Sequence, residues 1–464
     1  VNALLVTLVL TAAPAMRAPA DAEFAYFVPK LSDLEAMVPF LDAAGERAGL
    51  LRREGWRNDV HPLLRVDITR KDSLVEAGID SGSAATLSYR GTLSWSCVTL
   101  ADVKKFEAAC SEKLKSWGVV FRKDADGSTL VGSKDSLGRV LAGYALKGKE
   151  SCAISASGAS VEKPLMELGK LMGKAPAGAM WKTAAALPGQ AVLISPMAVV
   201  GLKAKDLTLT SEFKSARLPL AKLAGAGATP YGGTSYDAMV WARMRVEPAQ
   251  LPVLLAQLTA NVGRLCPACD SAAMTDAVTA LAPAMTGNAL VLVPQAKVKG
   301  SLRTFAGRFF SVQLALLGEA SDPKAAREAL ESLQKVKGAK ALENGEGYSL
   351  LLREGEVKIG VRGSHVYFGN DGAAIEAALT AVPAEPGKQA HGVEFGVDPS
   401  RVAKGLSQVP LVDVLAVPEL VALVGLSAEG GPLLLASEKM RGYADTDANA
   451  AARGQLVWPL KKQR

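Results

Sequence analysis

The 464-residue sequence is poor in the residues that most chemistry needs. It has only three histidines, His61, His365 and His391, and aromatics make up 5% of the chain. No two histidines stand at i, i+4 spacing, which argues against a helical zinc site of the metalloprotease kind. Nucleic-acid binding favours clustered basic residues with aromatics between them, to neutralise phosphates and stack bases. Here 53 basic residues are scattered among 46 acidic ones. The one basic cluster, Lys461, Lys462 and Arg464, is read as a solvated terminus. No glycine-rich stretch carries the Lys-Ser/Thr of a phosphate-binding loop, and no dinucleotide fingerprint joins a strand to a helix.

Long apolar runs are also lacking. Ala3 to Ala15 is the clearest, and at about 1.5 Å per residue it is too short for a hydrocarbon core of roughly 30 Å. It has the length of a signal-peptide core, with Ala13-Pro14-Ala15 or Ala20-Asp21-Ala22 as the cleavage signal. Residues 1–22 are therefore read as a signal peptide and the chain as exported. Leu411 to Leu426 is broken by Asp413, Pro418 and Glu419, so no transmembrane segment is expected in the mature chain.

What the sequence does contain is similarity to itself. Residues 101–131 lie on 321–351 at a constant offset of 220, matching Asp102 with Asp322, Gly118 with Gly338 and Gly127 with Gly347. Each segment starts with an acidic cap, runs as a helix, stops at a glycine and continues into a hairpin. Further landmarks follow in the same order at shifting offsets. Leu34, Met37, Val38 and Leu41 meet Leu251, Leu254, Leu255 and Leu258, while Gly158, Val161 and Leu165 meet Gly372, Ile375 and Leu379.

The expectation is α+β: two tandem copies of a mainly antiparallel sheet with helices packed on one face, over 23–222 and 236–464. The Gly-rich stretch 223–235 is read as a flexible linker. Alternation in Ala84 to Tyr89 and Leu207 to Phe213 suggests that one sheet face carries the helices.

Five cysteines, an odd number, imply in an exported chain disulfides plus a leftover thiol. Any two of Cys97, Cys110 and Cys152 could pair. Cys266 and Cys269 form the one compact chemical motif, LCPACD, a candidate for a small structural disulfide or for thiol–disulfide exchange. It lacks the tryptophan common before the first cysteine of thioredoxin-like sites, and matching positions 49–52 hold no cysteine.

No catalytic residue, metal site or cofactor is expected. Ser211/Lys214 and Ser332/Lys335 match a Ser-x-x-Lys spacing but sit in strand and helix patterns. Asp124-Ala125-Asp126-Gly127 is read as a hairpin turn rather than a calcium loop.

The segment Leu74 to Tyr89, LVEAGIDSGSAATLSY, with its following strand and the helix from Asp102, resembles uncharacterised exported bacterial proteins. These are large, Ala/Leu-rich and of unknown domain function. The resemblance implies export and this layout, and no catalytic residues. The corresponding Leu302 to Leu317 lacks the Gly-Ile-Asp element.

The combined expectation is a non-enzymatic, exported two-lobe binding or scaffold protein of the bacterial cell envelope, soluble after signal removal. Its partner would be an envelope protein, a glycan or a lipid. The alternatives are a carrier of an apolar ligand such as lipid, using Leu411 to Leu426, and a redox protein using Cys266/Cys269.

Overall fold

The computed structural model describes residues 24–47, 61–156, 159–172, 183–184, 186–195, 198–215, 222–232, 236–256, 271–297, 311–336, 338–352, 355–407, 431–446 and 451–462. Residues 1–22, Cys266, Cys269 and Leu411 to Leu426 lie outside them. The chain divides into two compact units, 1–216 and 217–464. Each is mixed α+β around antiparallel strands.

The first unit opens with strand β1 (Phe24–Val28), a 3-10 helix (Leu31–Met37), α1 (Val38–Arg47) and α2 (Lys71–Glu76). The hairpin β2 (Ala85–Arg90) and β3 (Leu93–Thr99) leads to α3 (Val103–Trp117). Strands β4 (Val119–Ala125), β5 (Ser128–Lys134), β6 (Val140–Lys147) and β7 (Glu150–Ala156) precede α4 (Glu162–Leu171), and β8 (Ala191–Ile194), β9 (Val199–Lys205) and β10 (Thr208–Ser215) close it. The strand order is β10-β9-β8-β1-β2-β3-β7-β6-β5-β4, with every pairing antiparallel.

Local sequence chemistry explains several boundaries. The Asp102 carboxylate accepts a hydrogen bond from the Lys105 N–H at 3.1 Å, which caps α3. Gly118 ends the helix at φ 148°. The β4–β5 turn holds Asp126 and Gly127 at φ 54° and 72°, the paired positive angles of a type I′ hairpin.

Helices cover both faces of this sheet, not one as the sequence reading expects. Phe106, Cys110 and Leu114 of α3 are fully buried, with Phe106 edge-on to Tyr144 of β6 at 5.4 Å. Val161, Leu165, Leu168 and Met172 pack on the other face with Trp95, Ala145 and Ile154. The reason lies in the central strands: β7 buries Ser151, Cys152, Ala153 and Ile154 in succession, so each face needs its own cover.

The second unit contains β11 (Gly227–Thr229), β12 (Val240–Arg245), α5 (Ser271–Thr279), β13 (Met285–Val293), β14 (Ala296–Lys297), β15 (Ser311–Val312) and β16 (Ala315–Ala320). Then come α6 (Pro323–Glu331), β17 (Ala339–Ala341), β18 (Gly347–Leu352), β19 (Gly355–Arg362), β20 (His365–Gly369) and α7 (Gly372–Thr380). It ends with β21 (Gly387–Gln389), β22 (Val393–Val397), α8 (Pro399–Ser407), β23 (Met440–Thr446) and β24 (Ala452–Pro459).

Its main strand order is β24-β23-β22-β12-β13-β16-β20-β19-β18-β17, again antiparallel throughout. Taken in chain order, these strands occupy the same places as those of the first unit. Asp322 caps α6 through the Lys324 and Ala325 N–H groups, as Asp102 caps α3. Helices again lie on both faces: Ala326 and Leu330 pack with Ile359 and Val366, and Ile375 with Leu317 and Tyr367.

The Gly-rich stretch is not a free linker over its described residues. Gly227–Thr229 pairs with Gly387–Gln389, and Tyr231 is fully buried. The Tyr231 carbonyl accepts from the Arg243 guanidinium at 3.0 Å and from the Tyr236 hydroxyl at 2.9 Å. Glycine is needed at 232 for close packing, since a Cβ there would collide with the Gly387 backbone.

Candidate functional site

In β1, Phe24, Tyr26 and Val28 point to one face, while Ala25 and Phe27 join a core cluster on the other. Cross-strand register adds Ala85 and Leu87 of β2 and Ser96 and Val98 of β3 to the first face. Above them Leu31, Leu34 and Met37 recur every third residue, which in a 3-10 helix sets all three along one edge.

Sheet and helix do not close on each other. Between them lies a cavity of about 540 Å³, completed by Leu41, His61, Val66, Ile68, Thr69, Leu74 and Ile79. None of its lining side chains, among the described residues, is Lys, Arg, Asp or Glu. Phe24 and Tyr26 line the cavity yet are 49% and 39% exposed, so they mark its mouth. The volume falls within the roughly 300–1,000 Å³ of small-ligand pockets.

The segment Leu74 to Tyr89 forms much of the wall, contributing Leu74, Ile79, Ala85, Thr86 and Leu87. Gly78 is its fixed point. Its φ is +74°, and its carbonyl accepts from the Ala101 and Asp102 N–H groups. A Cβ there would strike the Asp102 carbonyl and approach the Phe106 nitrogen to 2.8 Å. Gly78→Ala is expected to cost about 2–4 kcal/mol, combining left-handed strain with backbone collision. Chemical unfolding should show a lower midpoint, and an unchanged one would refute the steric account.

His61 is the ionisable imidazole in this apolar lining, and it is 5% exposed. Its Nδ1 accepts from the Leu63 N–H at 3.2 Å and the Leu64 N–H at 3.1 Å. The neutral ring therefore carries its proton on Nε2. Burial disfavours the imidazolium and pushes the pKa down to about 3. Nε2 itself is buried and has no hydrogen-bond partner among the described residues.

The other sequence candidates form no catalytic constellation among the described residues. Cys97 and Cys152 face each other across β3 and β7 and form a disulfide, which settles the pairing that spacing left open. Cys110 is free but buried, and burial pushes its thiol above the usual range, with Glu107 adding to the shift. It is an inert core thiol rather than a nucleophile. His365 meets the Tyr231 hydroxyl at 3.2 Å, and burial lowers its pKa. His391 pairs with Asp445 at 2.9 Å and stacks on Tyr443 at 3.6 Å. Ser211 lies in β10, and Ser332 donates to the Ala329 carbonyl at the end of α6. No cluster of three metal-ligating side chains occurs among the described residues.

A second cavity of about 540 Å³, in the second unit, is lined by Lys340, Lys358, Arg362, Glu343, Glu356 and Glu376 among others. Its guanidinium is committed: Arg362 bonds Glu346 and Glu376, both of which hold its pKa up. That leaves the apolar cavity as the better-formed ligand site.

In the sequence His61 carries no ligand role, and Leu34, Met37 and Leu41 stand only as landmarks of the self-similarity. The three-residue spacing from Leu31 was a readable signal for a 3-10 edge. Nothing in the sequence reported the gap behind it.

No known protein family, curated protein or solved structure matches this chain.

Proposed function

We propose that this chain is a non-enzymatic binding protein that holds an apolar ligand in the cavity of its first unit. The observation that carries the reading is a pocket of about 540 Å³ whose described lining is mostly apolar, holds no Lys, Arg, Asp or Glu, and opens at two exposed aromatics. Transfer of an apolar group into such a site is favoured at roughly 25 cal/mol per Å² removed from water. This is the carrier alternative of the sequence reading, moved from Leu411 to Leu426 into the first unit. It stays within the broader expectation of a two-lobe binding protein.

Two further readings accompany it. The shared strand order and the capped helices Asp102/α3 and Asp322/α6 support an ancestral unit written twice. The Cys97–Cys152 disulfide supports an oxidising compartment, in line with export to the cell envelope. Among the described residues no helix is long and apolar enough to cross a membrane.

The test is titration of the purified full chain with the neutral fluorophore N-phenyl-1-naphthylamine, beside native mass spectrometry for co-purified lipid. Leu34→Trp places an indole in the cavity and should weaken dye binding at least tenfold while leaving the fold intact by circular dichroism. No dye binding by the wild type, together with a clean apo mass, would end this reading.

A further inference from the structure

The cavity holds one polar feature that packing does not explain. The Nδ1 edge of His61 is spent on the Leu63 and Leu64 N–H groups, so the ring is fixed by its own chain. The remaining polar atom, Nε2, is then a hydrogen-bond donor, and it is buried without a partner among the described residues. A buried donor left unsatisfied keeps the penalty of its lost hydration, which folded proteins seldom tolerate without a use. The Thr69 hydroxyl in the same lining is already engaged, donating to the Asp67 carboxylate at 2.6 Å.

Charge narrows what could answer that donor. An ionised carboxylate brought into the cavity would meet no Lys or Arg in the described lining. Nor would His61 serve as its counter-ion, because burial keeps the ring neutral. An ammonium group, the form an aliphatic amine takes at neutral pH, offers only donors where an acceptor is required. A carbonyl on an otherwise apolar molecule satisfies both conditions.

We infer that the site selects neutral carbonyl-bearing amphiphiles, esters or ketones on an aliphatic chain, with the carbonyl oxygen accepting from His61 Nε2–H. This rests on the cavity being the ligand site, and it adds the ligand's functional group and the residue that recognises it. His61 is a specificity-determining residue, while the apolar walls supply affinity.

The experiment measures displacement of N-phenyl-1-naphthylamine from the full chain by 2-undecanone, by undecane and by dodecanoate at pH 7.5. It compares the wild type with His61→Asn, whose side-chain oxygen can still accept from the N–H groups two and three residues on. The ratio of ketone to alkane affinity should be roughly five- to tenfold higher in the wild type than in the variant, the effect of one hydrogen bond. Dodecanoate, its carboxylate left at the mouth, should be insensitive to the substitution.

A second readout needs no variant to fold. The slowly exchanging imidazole N–H proton of His61 should move downfield on adding the ketone and stay in place with the alkane. If both compounds displace the dye but the ratio is equal in both proteins and the proton does not move, the inference is overturned and the apolar site stands. If nothing displaces the dye and the dye itself does not bind, the site reading falls with it.

Discussion

From pH 6.5 down to about 3, the first unit is expected to lose stability at about 1.4 kcal/mol per pH unit on account of His61 alone. In the folded chain the ring stays neutral until about pH 3, because burial removes the water that would solvate a charge. In the unfolded chain it takes up a proton near pH 6.5. The unfolded state therefore binds the extra proton throughout this window, and stability must fall as pH drops. Above pH 6.5 both states are neutral and the contribution is flat. His61→Asn should remove this slope and leave only the carboxylate background. Chemical unfolding midpoints at pH 7.5, 5.5 and 4.5 would measure it. Parallel pH profiles for the wild type and the variant would show that His61 is not held neutral.

Replacing Cys97 and Cys152 together by alanine should produce the other large effect. The bridge spans a sequence separation of 55 residues. A loop of that length gives roughly 4 kcal/mol in the chain-entropy picture, of which native-state relaxation returns some. For a unit of this size that corresponds to a fall in Tm of about 10 °C. The second unit offers an internal control. Leu317 and Tyr367 face each other across β16 and β20, where the first unit has its disulfide. Both are fully buried there, so apolar packing takes the place of the bond. The double variant should shift the unfolding of the first unit and spare that of the second. A single unshifted transition in both proteins would mean that the bridge adds nothing to the folded state.

These expectations separate what was legible in the sequence from what was not. Asp102, Gly118 and the Asp126-Gly127 turn act on their immediate neighbours, and their roles in the structure follow from their local chemistry. The helix between Asp102 and Gly118 was legible for the same reason. The sidedness of the sheet was not: alternation in Ala84 to Tyr89 suggested one covered face, but the consecutive burial of Ser151 to Ile154 demanded two. The Gly-rich stretch was misjudged because glycine permits both flexibility and close backbone approach. Only the partner strand β21 and the buried Tyr231 show which use applies. The cavity was legible as pieces, an alternating strand and a three-residue helical repeat, without the space between them.

Residue type and spacing alone were enough for the local rules: where helices are capped, where hairpins turn and which residues are apolar enough to be buried. Those depend on interactions spanning a few residues and are written in residue type and spacing. Packing between distant segments set that Cys97 meets Cys152, that helices cover both faces, and that His61 stands in an uncharged pocket under the 3-10 helix. Each of those is a distance between segments far apart in the chain, fixed by how layers of side chains fill space against one another.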